Sequence, residues 1–411
     1  MNHPTVLLSH PTGNENVRNA LRGLVEGGML KEFWTTIAWD QDSPWNRMLP
    51  QRLRMLLARR SFAGVPRAAV KCVPWREMVR LGGGFSPLWN LSAGERPFSI
   101  IGVYRHFDGK VAERLRTMRP DAVFAYEGGA LQTFREARRL GIATLYELPS
   151  TYWYWEHKLL SEEAVRNPEF AGLLPKLFDS PGHMQWKDEE LRLADCVFVA
   201  SRHVRRSLAG IVPEGKIRVI PYGAPAPRPR PESGRDPSRP LRVLFVGALI
   251  QRKGVSYLLE AVEQLGARVD FTIVGTRFQA NSRVNEACRR WRWFESIPHA
   301  QVLDLMMESD VLVLPSLCEA FGLVVTEALS CGVPVIVTPQ VGAGDLIRDG
   351  EAGFIVPSCS AEAIAERLGT LDRDRNLLGA MSCRAQAAAA ARSWEHYRAD
   401  FANAVRAAAC R

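Results

Sequence analysis

Apolar residues in this chain fall into short unbroken runs, each closed by a glycine- or proline-bearing turn and followed by an amphipathic stretch. Runs that are apolar at every position predict strands buried on both faces, as in a parallel sheet covered by helices. Residues 5–9, 122–126, 143–146, 196–200 and 217–221 predict such strands in the first half. Residues 241–246, 270–275, 294–298, 311–314 and 333–338 predict them in the second. Helices are expected over 17–24, 131–140 and 321–330, and from about 255. Residues 224–240 (APAPRPRPESGRDPSRP) are too rich in Pro and Arg for either element and mark a linker. The expected fold class is therefore α/β, with doubly wound Rossmann-like domains at 1–223 and 241–392.

The stretch 311–356 organises the second domain: strand, Pro-Ser turn, a loop with Glu319, a short helix, a stop at Gly332, then another strand. Ligands of such sheets sit in the crevice at the carboxyl ends of the strands. The first amides of the helix, around Phe321, Gly322 and Leu323, have no helical acceptor and suit a phosphate. The bare backbone of Gly322 allows close approach. Glu319 before the helix and Glu327 on it, with seven residues between them, could accept from sugar and ribose hydroxyls. After the strand 241–246 comes Gly247-Ala-Leu-Ile-Gln-Arg252-Lys253-Gly254, where Arg252 and Lys253 stand where cations would meet a diphosphate. The next strand ends at Gly275. In the first domain, the turn after 5–9 carries Gly13 and Asn14 ahead of a helix. Glu127 and Glu147 follow or end two strands at the edge where a site would lie.

The pattern Glu319-x7-Glu327, followed by Gly332-Val333-Pro334-Val335 and by Gly350, Gly353 and Val356, resembles the retaining family 4 glycosyltransferases of the GT-B fold. The likeness runs over roughly 190–400. It implies two domains facing across a cleft, with a C-terminal helix at about 393–411 crossing back onto the first. It further implies a donor nucleotide-diphosphate sugar, UDP or GDP, held by the second domain. Backbone near Ile297 and Pro298 would hold the base, Glu327 the ribose and Glu319 the donor sugar. Lys253 and Arg252 would meet the leaving diphosphate, with no metal and no cofactor. The family's histidine near position 147 is absent; Tyr146-Glu147-Leu148 stands there, so Glu147 becomes the substitute candidate. The acceptor would be a hydroxyl of a glycan or lipid-linked molecule, in polysaccharide or glycoconjugate synthesis. A non-catalytic sugar-nucleotide-binding subunit, or an epimerase on the same architecture, are the rival readings.

Composition changes this picture little. The 411 residues suffice for two domains, and an apolar share of 46% is that of a globular protein. Eight scattered cysteines without C-x-x-C pairs argue for reduced thiols and against zinc. No apolar run spans a bilayer, and the start MNHPTVLLSHP lacks a signal-peptide pattern, so a cytoplasmic location is expected. The net charge of +9 comes without any nucleic-acid-binding motif. Residues 51–60 (QRLRMLLARR) predict a basic amphipathic helix that could lie on an anionic membrane surface. The aromatic run Tyr152-Trp153-Tyr154-Trp155 is a candidate acceptor-side element, and Asp372-Arg373-Asp374 reads as surface.

Overall fold

A computed structural model describes residues 3–40, 43, 46, 48, 54, 57–58, 60–82, 96–175, 181–228 and 238–410. Its strands are β1 (Val6–Ser9), β2 (Leu30–Thr35), β3 (Val70–Cys72), β4 (Ala122–Tyr126), β5 (Ala143–Leu148), β6 (Cys196–Val199), β7 (Ile217–Val219), β8 (Leu241–Val246), β9 (Val269–Val274), β10 (Arg292–Phe294), β11 (Val311–Leu314), β12 (Val335–Val337) and β13 (Gly353–Ile355). They form one sheet in the order β3-β2-β1-β4-β5-β6-β7 and a second in the order β10-β9-β8-β11-β12-β13. Every pairing between named strands is parallel. The fold is α/β and two-domain, and β1, β4, β6, β11 and β12 are buried along their whole length.

Two features of the order matter for function. Strand order reverses between β1 and β4 in the first sheet and between β8 and β11 in the second. At such a reversal the flanking connections leave on opposite faces and open a crevice at the carboxyl ends. Helices α1 (Glu15–Glu26), α2 (Trp75–Gly82), α3 (Ile100–Met118), α4 (Leu131–Leu140), α5 (Trp153–Arg166), α6 (Pro181–Leu193) and α7 (Arg202–Ser207) surround the first sheet. Around the second lie α8 (Val255–Leu265), α9 (Ser282–Arg290), α10 (His299–Glu308), α11 (Leu323–Ser330), α12 (Ala361–Arg373) and α13 (Arg375–Ala391).

Strand β10 corrects one expectation. It covers 292–294 rather than 294–298, because Pro298 has no N–H for a ladder and instead stands at the N-cap of α10. Strands β2, β3 and β13 carry no strong apolar run, and the hydrophobic pattern does not mark them. Most of the helix expected over 51–60, and residues 229–237 of the linker, lie outside the described residues. Asp372 is paired with Arg268 and Arg375, and Asp374 caps α13.

The last helix, α14 (Trp394–Ala409), leaves the second domain and lies against α1 of the first. Its Phe401 is fully buried, with its ring 5.0 Å from Phe124 and 5.9 Å from Phe198. The chain thus passes between the domains twice, and the passes touch: the Ala224 N–H donates to Arg392 O at 2.7 Å. Phe401→Ala is expected to destabilise the chain by about 3–5 kcal/mol, since it empties a packed aromatic site. A urea titration followed by tryptophan fluorescence would check it; an unchanged midpoint would show that α14 is not part of the first-domain core.

Candidate active site

The loop after β8 and the loop after β11 are neighbours at the reversal of the second sheet, and their backbones interlock. Gly254 has φ +71, and a Cβ there would stand 2.1 Å from Pro315 O, so only glycine lets the loops cross. The Leu317 N–H donates to Arg252 O at 2.9 Å, and Arg252 Nη1 donates to Cys318 O at 2.9 Å. The crossing aims Lys253 at Glu319: its ammonium is hydrogen-bonded to Glu319 Oε2. Arg252 Nη1 lies 3.9 Å from the same oxygen. Gly247 borders the lysine, for a Cβ at 247 would lie 3.7 Å from Lys253 Cε; Gly275 abuts Gly247 backbone to backbone.

Glu319 in turn rests on the start of α11. Gly322 takes φ +88 at the N-cap, where no side chain caps the helix, and a Cβ there would be 3.2 Å from Glu319 Cγ. The amides that open α11 therefore lie beside a carboxylate that carries a lysine and faces an arginine. Phe321 is buried, its ring 5.0 Å from Tyr222 of the first domain. Farther along α11, Glu327 Oε1 is 2.9 Å from His299 Nε2. That hydrogen bond, chiefly, raises the His299 pKa, and the charges of Glu327 and Glu15 add to it. His299 opens α10 directly after Ile297 and Pro298, so those residues border Glu327. Glu15 opens α1, next to Gly13 and to Asn14, whose Oδ1 caps the helix by accepting from the Val17 N–H at 3.0 Å. The first-domain turn thus faces the Glu327 end of the crevice.

Facing the Arg252 end are further side chains, of which sequence reasoning had marked only Glu127. Glu156 on α5 has Oε1 3.7 Å from Arg252 Nε, and burial raises its pKa while Arg252 opposes the rise. Glu127, just beyond β4, accepts from Ser150 Oγ at 2.5 Å and lies 3.5 Å from Lys187 Nζ. The turn after β4 is fixed by buried Glu190, which accepts from the N–H groups of Gly128 and Ala130, both at 2.8 Å. His203 and Cys318 lie between the domains with Nε2 and Sγ 3.9 Å apart. Burial holds His203 down at about 4 and pushes the Cys318 thiol up to about 12, so both are neutral and no thiolate nucleophile is formed. The clue to Glu156 was its spacing of seven from Glu163, two turns along one helix face. The continuous aromatic run hid it: Tyr152 is buried, and Tyr154 points outward.

Glu147 does not join this group. It is 3% exposed, beneath Tyr222, whose hydroxyl donates to its Oε1 at 2.8 Å. Strand side chains alternate in direction, and Glu147, paired in register with Tyr126, sits on the α1 and α14 face. Among the described residues no cluster of three or more His, Cys, Asp or Glu side chains is arranged to hold a metal.

Residues 230–390 match the glycosyl transferases group 1 family. The chain carries a group 1 glycosyltransferase domain. Over 204 residues it is 30% identical to a D-inositol 3-phosphate glycosyltransferase of Nocardia farcinica, a match covering 44% of this chain and 45% of that one. The chain thus spans about half the length of the curated relatives it matches. In fold, it is similar to sucrose-phosphate synthase from Thermosynechococcus elongatus, with TM-score 0.67, 18% identity and 98% of each chain covered. It is also similar to Anabaena HepE in complex with UDP-glucose, with TM-score 0.64, 17% identity, and 98% and 100% covered. The architecture is GT-B. The group 1 domain supplies β8 to β13, and with them both glutamates and the Arg-Lys pair.

Burial moves Glu147 from the ordinary 4.5 to about 8, against the pull of the Tyr222 hydroxyl. Between those values the folded chain keeps a proton that the unfolded chain releases. The stability this group contributes is whole below 4.5 and is lost as pH rises through 8. Thermal unfolding across pH 5–8 is therefore expected to narrow the gap between wild type and Glu147→Gln by roughly 1 kcal/mol per pH unit, the wild type losing ground as pH rises. Parallel curves for the two proteins would refute the buried neutral acid.

Proposed function

We propose that this chain is a glycosyltransferase that moves a sugar from a nucleotide-diphosphate sugar, UDP- or GDP-linked, to a hydroxyl of a glycan or lipid-linked acceptor. One observation carries the reading: Lys253 and Arg252 converge on Glu319 beside the uncapped start of α11, at the crevice of the second sheet. Cations and helix-start amides suit a diphosphate, and the neighbouring carboxylates suit hydroxyls. The diphosphate rests against the amides at Phe321 to Leu323. Glu327 takes the ribose, Glu319 takes hydroxyls of the sugar, and backbone near Ile297 and Pro298 takes the base.

In the reaction the bond from the anomeric carbon to the diphosphate oxygen breaks, and a bond to the acceptor oxygen forms. The same-face course retains configuration; the acceptor's proton passes to the leaving phosphate, and the electron pair of the broken bond stays there. Positive charge grows on the sugar and negative charge on the diphosphate, which Lys253, Arg252 and the helix start stabilise. In this course no metal is needed to balance the diphosphate. Double displacement would need a carboxylate at the anomeric carbon; Glu147 lies under Tyr222, which leaves Glu127 as its first-domain candidate.

The reading extends to an anionic membrane surface, as a lipid-linked acceptor would require. Helix α2 is turned inside out: Glu77 is buried against Arg60 at 2.5 Å, whereas Trp75 and Met78 are 68% and 58% exposed. With a net charge of +9, such a face suits anionic lipid. No helix among the described residues is long and apolar enough to cross a membrane.

Nucleoside diphosphate release from UDP-, GDP- and ADP-sugars tests the core of the reading. Lys253→Ala and Glu319→Ala are each expected to lower kcat by about 10²–10³-fold, the usual effect of deleting a preorganised charge. No release from any donor, or full activity in both variants, would refute it. Flotation tests the membrane part: vesicles containing phosphatidylglycerol should lift the wild type, and the double variant Trp75→Ser with Met78→Ser should stay behind. Equal flotation of both proteins would remove α2 from that role.

A further inference from the structure

Helix α5 belongs to the first domain by connection, yet one of its faces is bonded to the second. Along that face Glu156 meets Arg252, and two turns later Glu163 is buried against the residue just before Arg252. Glu163 is 1% exposed. Its Oε1 accepts from Gln251 Nε2 at 2.7 Å, and both of its oxygens accept from the Tyr257 hydroxyl at 2.9 Å. Arg166 Nη1 adds a contact at 3.3 Å. Gln251, itself fully buried, donates to Ser256 Oγ at 2.6 Å and accepts from the Ser256 N–H at 3.1 Å. It thereby caps α8, whose N-cap glycine offers no side chain. Asn167, just past α5, donates to the same Ser256 Oγ at 2.8 Å. The Gln251–Lys253 turn is thus gripped from behind by a buried carboxylate of the opposite domain.

These ties hold α5 to the second domain. Beside them lies a cavity of about 420 Å³ bordered by Leu159, Glu163, Arg166, Gln340 and Cys359. Directional bonds beside a cavity allow a seam to seat or release as a unit. Interfaces of that kind are bistable rather than continuously deformable.

Resting on the glycosyltransferase reading above, we propose that Glu163 is a positioning residue for the donor site. Through Gln251 it sets the turn that presents Arg252 and Lys253, so those cations take up their donor-binding arrangement only while α5 is seated on the second domain. Glu163 touches no substrate; it transmits domain seating to the diphosphate-binding charges. The chemistry explains the residue type: a carboxylate has the lone pairs to receive Gln251, Tyr257 and Arg166 together. Alanine would strand those donors, whereas glutamine keeps one acceptor oxygen for Gln251 and gives up the charge and the contact to Arg166.

The test uses the full chain and two readouts. Seating is read by alkylation of Cys359, a half-buried thiol next to Arg166 and Glu163, followed by peptide mass spectrometry, with exposed Cys383 as internal control. Donor affinity is read by calorimetry with UDP-glucose, GDP-mannose and ADP-glucose, and by the donor KM and kcat of whichever turns over. Glu163→Ala is expected to be alkylated at Cys359 at least fivefold faster than Glu163→Gln, which removes the same charge from beside the thiol, with Cys383 unchanged. It should also weaken donor binding at least tenfold while the acceptor KM holds, and Glu163→Gln should recover most of the loss. Wild-type donor affinity in Glu163→Ala, or equal Cys359 alkylation in the two variants, would overturn the positioning role. If the wild type bound none of the three donors while Cys359 still responded, the glycosyltransferase reading would fall and the donor-positioning role with it, leaving a clasp between domains.

Discussion

Everything in the crevice depends on Lys253 and Glu319 holding one another across the point where the second sheet reverses its strand order. Their side chains are 13% and 15% exposed, so neither charge is fully hydrated. Removing Glu319 leaves the lysine largely buried and unmatched, which costs far more than the pair contributes over an apolar substitute. The pair stands because the loops beneath it are fixed: Gly254 lets the Pro315 carbonyl pass, and Arg252 ties the second loop down through Cys318 O. It also explains how two cations can stand side by side in the crevice. Glu319 and Glu156 balance them until a ligand with denser negative charge arrives.

The floor of the crevice sharpens this electrostatic arrangement by staying uncharged. Burial keeps His10 and His203 unprotonated at neutral pH and keeps Glu147 protonated. Tyr126, Tyr222 and Tyr397 surround Glu147 with hydroxyls that burial also holds neutral. Charge is carried by Lys253, Arg252, Glu319 and Glu156 at one end of the crevice and by Glu327 beside His299 at the other. Rim charges over a poorly polarisable floor act at longer range than the same charges over water. What approaches them is sorted first by charge and then by hydroxyl pattern.

The parallel strands were legible because both faces of each are covered, which makes the apolar runs continuous; β4, β8 and β11 begin and end where the residues alone put them. The sequence was a poorer guide wherever direction, rather than type, decides. Glu147 and Glu127 look alike in one dimension, each an acid where a strand finishes. The two-residue period sends Glu147 under Tyr222 and leaves Glu127 beside Ser150 and Lys187. Glu156 and Glu163 were hidden for a different reason: their partners Arg252 and Gln251 lie about a hundred residues away, in the other domain. No local pattern reports such a pairing. Their spacing marks a common helix face, but only the assembled domains say what that face meets.

Of the connections that join the domains, two bear on the ends of the crevice. The chain itself crosses at Tyr222 to Ala224 and again at Arg392 to Trp394, and the crossings are bonded side by side, with the Tyr222 and Trp394 rings stacked at 6.4 Å. A doubled crossing resists separation, so relative motion of the domains would have to turn about it. Helix α5 makes the other connection, through polar bonds that can break and reform. Rotation about the doubled crossing would therefore load the Glu163–Gln251 bond, and Gln251 is one residue from the arginine and two from the lysine that close the crevice. Tyr222 also touches Phe321 at the start of α11, so the pivot bears on one lip of the crevice while α5 bears on the other. Domain seating and the arrangement of the binding charges are thus coupled by short covalent and hydrogen-bonded paths, and a change in one must be felt in the other.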